Sequence, residues 1–116
     1  MLFINPIEHL QSLADNENLK AILKYTDSKD LDVRLASIRA LTAVGGEEAV
    51  YALVPMLSKP EPEIRAAAAR ALGLLSQAVR SETHTKAHLI KRLQQEKDES
   101  VLEALHESLN MMIGKA

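Results

Sequence analysis

The stretch from Asp30 to Lys59 recurs 31 residues downstream from Glu61, with Val33-Arg34 returning as Ile64-Arg65, Arg39 as Arg70 and Leu41 as Leu72. A chain that copies itself at this period is confined to units that bury an apolar face against their own copies, because no unit of that size encloses a core alone. The pattern inside the repeat is helical. Val33, Ala36, Ala40, Leu41 and Val44 have the spacing of one helical face, and Ile64, Ala67, Ala71, Leu72 and Leu75 match them one for one. Composition points the same way. Hydrophobic residues make up 47% of the chain but aromatic residues only 3%, with no Trp, so the core is aliphatic. That favours close-packed helices over strands, which are enriched in aromatic and β-branched residues.

The flanking segments follow in order. Asn5-Pro6 reads as a helix start, with Ile7, Leu10 and Leu13 as a short apolar face. A second helix is expected from Leu19 to Thr26, with Leu19, Ile22 and Leu23 facing inward. In the first full unit Asp30 caps a helix, and Gly45-Gly46 ends it. Glu47-Glu48 then place negative charge at the start of the next helix, as its dipole favours. Val50, Leu53, Val54 and Leu57 are its buried stripe, and Pro55, which removes a donor to Tyr51, is expected to kink it. Asp30 and Arg34, and their copies Glu61 and Arg65, have the spacing of i,i+4 ion pairs. Ala66 to Ala69 strengthen the following helix, where Gly73, costly in a helix interior, implies a close contact.

Beyond Val79-Arg80 the period is broken by an insertion, Ser81 to Lys86, before the stripe Ala87, Leu89, Ile90 and Leu93. A third unit opens at Asp98, with Val101, Ala104, Leu109 and Met112 repeating the inward set at an offset of 37. Its second helix is missing, so Met111, Met112 and Ile113 are expected at an open side. The expected architecture is all-α, one repeat domain over residues 1–116 with about six or seven helices. Antiparallel pairs fall at roughly 6–27, 31–58 and 62–96, and a final helix at 99–113.

These residues carry a resemblance. Asp30-Leu-Asp-Val-Arg34 through Ile38-Arg-Ala-Leu41 to Gly45, and Glu61-Pro-Glu-Ile-Arg65 through Ala69-Arg-Ala-Leu-Gly73, resemble HEAT-like repeats of the short bacterial type, as found in phycobilin lyases. Glu48-Ala-Val-Tyr-Ala-Leu53 is similar to the usual second helix. The third unit departs from the pattern, with Leu102 where the motif has Arg. The resemblance implies an armadillo-type α-solenoid, first helices convex and second helices concave. Deoxyhypusine hydroxylase shares the repeat but carries metal-binding His-Glu pairs just after the Val-Arg position. Here those positions hold Leu35-Ala36, Ala66-Ala67 and Glu103-Ala104. HEAT-like DNA glycosylases use a basic groove with aromatic residues, which a Trp-free chain of pI near 6.1 does not match.

Several function classes are excluded or disfavoured by the residues themselves. With no cysteine there is no disulfide, thiolate metal site or cysteine nucleophile. A net charge of −2 with interspersed signs argues against nucleic acid. No apolar run reaches the roughly 18–20 residues of a membrane span, and Met1-Leu-Phe-Ile4 before Asn5-Pro6 lacks the basic start of a signal peptide. A cytoplasmic protein is the expectation. His84 and His88 have a metal-ligand spacing but neighbour Lys91 and Arg92. His106-Glu107 lacks the second histidine of a zinc-protease motif, which would fall at Asn110. Arg39 and Arg70 read as a structural stack with carboxylates. No nucleophile–base pair, phosphate loop or carboxylate dyad occurs, so neither an enzyme nor a cofactor is expected.

The expected function is therefore a protein-binding scaffold. Lys24, Glu48, Tyr51, His88 and Arg92 line the concave surface, with Tyr51 as its anchor, and Met112 offers an adaptable contact at the C-terminal helix. Two alternatives remain: an accessory or regulatory subunit of an enzyme, of the lyase-associated kind, and a structural piece that self-associates through the C-terminal helix.

Overall fold

Helix boundaries fall where the sequence supplies caps. The computed structural model describes residues 5–77 and 84–113. Among these the elements are α1 (Pro6–Asp15), α2 (Leu19–Leu23), α3 (Leu31–Val44), α4 (Gly46–Leu53), α5 (Pro62–Leu75), α6 (Thr85–Gln95) and α7 (Glu99–Ile113). Asn5 Oδ1 accepts from the Ile7 amide at the head of α1, and Asp30 Oδ1 from the Asp32 amide at the head of α3, both at 2.9 Å. Asp98 does the same for the Ser100 amide at 2.9 Å, before α7. Each bond satisfies one of the orphan amides of a first turn. At the other end of α3, Gly45 and Gly46 hold φ of 72° and 84°, which side chains disfavour, and the chain reverses into α4. Pro55 acts as expected: α4 stops at Leu53, and a 3₁₀ turn, Val54–Ser58, carries the chain on.

The helices form two layers. First helices α1, α3, α5 and α7 pack side by side in chain order, while α2, α4 with its 3₁₀ turn, and α6 lie behind them. The Cα trace measures 51 × 28 × 17 Å, the proportions of an extended two-layer slab. The fold is an all-α helical solenoid.

The core runs along the layer boundary in columns set by the repeat. Val33, Ile64 and Val101 stand at equivalent positions of the three first helices and are all buried, as are Leu41, Leu72 and Leu109. The α5–α7 contact is the closest. A Cβ on Gly73 would lie 2.5 Å from Ser108 Oγ and 2.9 Å from Ser108 Cα, so only glycine fits there. The fully buried Ser108 hydroxyl donates to the Ala69 carbonyl at 2.6 Å. Gly73 thus has the close contact that its cost implied.

Several inward assignments are corrected. Ile7, Leu23 and Ile90, read as core, are exposed, and so is Ala87. α1 and α2 meet few neighbours at this end of the slab, and α6 buries little besides Thr85 and Leu89. Residues 81–83 of the insertion, Met1–Ile4, and Gly114–Ala116 lie outside the described residues.

Candidate functional site

The ion pairs organise the ends of the units, and not as their spacing implied. Arg34 Nη1 donates to Glu61 Oε2 at 2.6 Å, and Arg65 to both oxygens of Glu96 at 2.9 and 3.0 Å. Each arginine therefore grips an acid at the start of the following unit instead of its i−4 neighbour. The reason is local: Asp30 is committed to capping Asp32, and the extended Glu61 has no capping bond to make. In the third unit two residues divide the work, Asp98 capping α7 and Glu96 taking the arginine. Arg65 Nη1 also donates to the Lys59 and Pro60 carbonyls at 2.8 and 2.7 Å, tying down the turn before α5.

Glu96 is the most buried charge of the cluster, its side chain 1% exposed. Arg92 Nε lies 3.1 Å from its Oε1, a charge contact without hydrogen-bond alignment. The amides of Lys97 and Asp98 donate to Oε2. Burial pushes the Glu96 carboxyl up, but the bonds from Arg65 and the two amides outweigh it and hold the group below the ordinary range. Glu61 is held low chiefly by its bond from Arg34, and Asp98 by the Ser100 hydroxyl and the amides of its cap.

The second layer carries most of the residues singled out from sequence. Lys24 ends α2, while Glu48 and Tyr51 stand on α4 and His88 on α6, all exposed. Tyr51 is 54% exposed. His88 and Arg92 share a cleft of about 170 Å³ between α6 and the 3₁₀ turn, with Pro55, Ser58 and Lys91. Arg92, expected as an outward side chain of the concave surface, is half-buried there against Glu96. His84 precedes α6 as its N-cap, at φ 55°, and is not on the helix with His88. No cluster of three or more His, Asp or Glu able to hold a metal occurs among the described residues. Met112 belongs to the other layer, half-buried against the core. Sequence reasoning missed that Leu23 and Ile90 join Tyr51 as exposed apolar side chains of this layer.

On the first layer a larger groove, about 450 Å³, runs between α3 and α5. Leu35, Thr42 and Ala43 form one wall, and Ala67, Ala71 and Leu74 the other. Arg39 and its copy Arg70 stand one on each side. Leu74 is 54% exposed. Among the described residues the expected stack with carboxylates is present only for Arg70, which meets Glu107 at 3.3 Å with both side chains about half exposed.

Two layers of helices in repeat register, with first helices paired to the next unit through an arginine, define a helical repeat protein. The family model described as HEAT repeats matches residues 17–110. The chain belongs to the HEAT-repeat family. Its fold is similar to the crystal structure of an engineered protein, at 24% identity and a TM-score of 0.62. The match covers 95% of this chain and 51% of that one, so the chain spans about half the length of the engineered protein. No curated protein matches. No helix among the described residues is long and apolar enough to cross a membrane.

Proposed function

We propose that the chain is a non-enzymatic, cytoplasmic protein-interaction module that holds a protein partner on its second layer, the concave side in the family's architecture. The observation that carries this reading is the placement of one large exposed apolar side chain on each second helix: Leu23 at 37%, Tyr51 at 54% and Ile90 at 38% exposed. Helices fixed by the core present these three groups on a backbone already ordered, so that only side-chain freedom is lost on binding, which is how a rigid surface gains affinity. Tyr51 is the anchor, since aromatic side chains dominate interface energetics. Lys24, Glu48 and His88 supply the polar rim. Arg92 supports the surface through Glu96 and reaches the partner only at the cleft edge.

The test is affinity capture of the partner from the native cells, followed by titration with Tyr51→Ala and Ile90→Asp. Each substitution is expected to weaken binding by about ten-fold or more, the loss typical of a central interface residue, with the helical circular dichroism spectrum unchanged. Equal affinity of both variants and the unaltered chain would overturn the reading.

A further inference from the structure

We propose that the groove between α3 and α5, on the layer opposite Tyr51, docks an acidic amphipathic helix of a partner protein. Its walls have the geometry for this. Leu35, Thr42 and Ala43 on α3, and Ala67, Ala71 and Leu74 on α5, follow the spacing of helical ridges, and a third helix fits between two such ridges. The small side chains Ala43, Ala67 and Ala71 leave the floor low enough for an incoming leucine or phenylalanine. Leu74, the most exposed leucine among the described residues, stands at the rim as the matching contact.

Charge selects the partner. Arg39 and Arg70 occupy the same position in successive units, so the groove has one cation on each wall, and among the described residues no carboxylate lines it. Arg39 makes no ion pair among the described residues. The pair of Arg70 with Glu107 at 3.3 Å, 48% and 52% exposed, is of the solvent-screened kind that contributes little and exchanges readily. Both guanidinium groups are therefore available for carboxylates on either flank of an apolar stripe, and they disfavour a basic helix. From Leu35 to Ala43 the groove extends about 12 Å at the helical rise, room for roughly two turns of ligand. The occupant presents apolar side chains at i and i+4, with Asp or Glu on both sides of them.

The probe is an Ala-rich peptide of about 15 residues, long enough to hold a helix, with Leu at every third or fourth position and Glu on both flanks. Its binding to the isotope-labelled full chain is followed by amide NMR shifts and fluorescence anisotropy. The expected result is that shifts concentrate on α3 and α5. Peptides with Lys in place of Glu, or Ser in place of Leu, bind about ten-fold or more weakly. Arg39→Glu and Arg70→Glu each weaken the acidic peptide about five-fold, the upper range for single exposed charges, and Leu74→Asp weakens it further. All three positions are exposed, so the variants stay folded, with a small loss of melting temperature in Arg70→Glu, which sets a second carboxylate against Glu107. Tyr51→Ala leaves this binding unchanged, which separates the groove from the second-layer surface. Equal binding of the Lys peptide, shifts centred on α2, α4 and α6, or no saturation by the acidic peptide at millimolar concentration would each overturn the proposal.

Discussion

Replacing Gly73 by alanine tests the tightest contact in the molecule. In an unconstrained helix this change is favourable by about 1 kcal/mol. Here the added Cβ would meet Ser108 Oγ at 2.5 Å, Cβ at 2.7 Å and Cα at 2.9 Å. Carbon contacts relax only near 3.5–4.0 Å, and a Cα cannot swing aside as a side chain can. α5 and α7 must therefore part by a sizeable fraction of an ångström along the interface they share. Overpacking of this kind costs about 1–3 kcal/mol, and stretching the Ser108 bond to Ala69 adds about 1 kcal/mol. After the propensity gain, Gly73→Ala is expected to destabilise the chain by about 2 kcal/mol. With an unfolding entropy of roughly 2 cal/mol/K per residue, that lowers the melting temperature by about 8 °C. Thermal denaturation followed by circular dichroism measures it. A double-mutant cycle with Ser108→Gly, which removes two of the three clashing atoms, is expected to show a coupling of about 1 kcal/mol. A Gly73→Ala chain more stable than the original by about 1 kcal/mol would refute the argument, since helix propensity would then be the only effect.

Leu72 and Leu74 are two residues apart on α5, fully buried and 54% exposed respectively. Leu72→Ala is expected to cost about 2–5 kcal/mol in urea denaturation, and Leu74→Ala less than about 0.5 kcal/mol. Glu96→Gln leaves Arg65 and Arg92 facing a neutral group. The expected loss is about 1–3 kcal/mol, below that of a wholly buried pair, because the arginine side chains keep 14% and 19% of their surface in solvent. Acid should also destabilise the fold. Glu61, Glu96 and Asp98 all have folded-state pKa values below their ordinary ones, so their contribution is complete above the unfolded values, 4.5 for glutamate and 3.8 for aspartate. It is lost as pH falls through the lower folded values. Melting temperature is expected to drop from about pH 5 to pH 3, with a shallower slope in Glu96→Gln; a slope unaltered by that substitution would remove Glu96 from the explanation.

The repeat itself made much of the fold legible. A residue copied in successive units takes the same place in each, so Val33, Ile64 and Val101 could be assigned to one column without knowing the helix axes. Backbone chemistry was legible too, in Asp30, Gly45, Pro55 and Gly73. What could not be read was which of two reachable partners a flexible side chain selects. Arg34 is four residues from Asp30 in sequence, but Asp30 spends its carboxylate on the Asp32 amide, and that commitment exists only once the helix start is formed. Ile7, Leu23 and Ile90 have inward spacing, and whether such a residue is covered depends on the neighbouring layer, which periodicity does not report. The groove on the first layer was hidden for the same reason. It depends on how far apart α3 and α5 lie and on Ala67 and Ala71 being small where a larger residue would have filled it.

The forward reach of Arg34 to Glu61 and of Arg65 to Glu96 also bears on how such a chain can lengthen. A duplicate of residues 31–61 inserted after Glu61 would bring a copy of Arg34 and end on a copy of Glu61. The new arginine would find the acid that closes its own segment, and the old Arg34 would still find the original Glu61. Growth by this block leaves each of the junction arginines with its carboxylate. The electrostatics of the units thus allow gene duplication to extend the molecule by a whole period while both arginine–glutamate junctions stay intact.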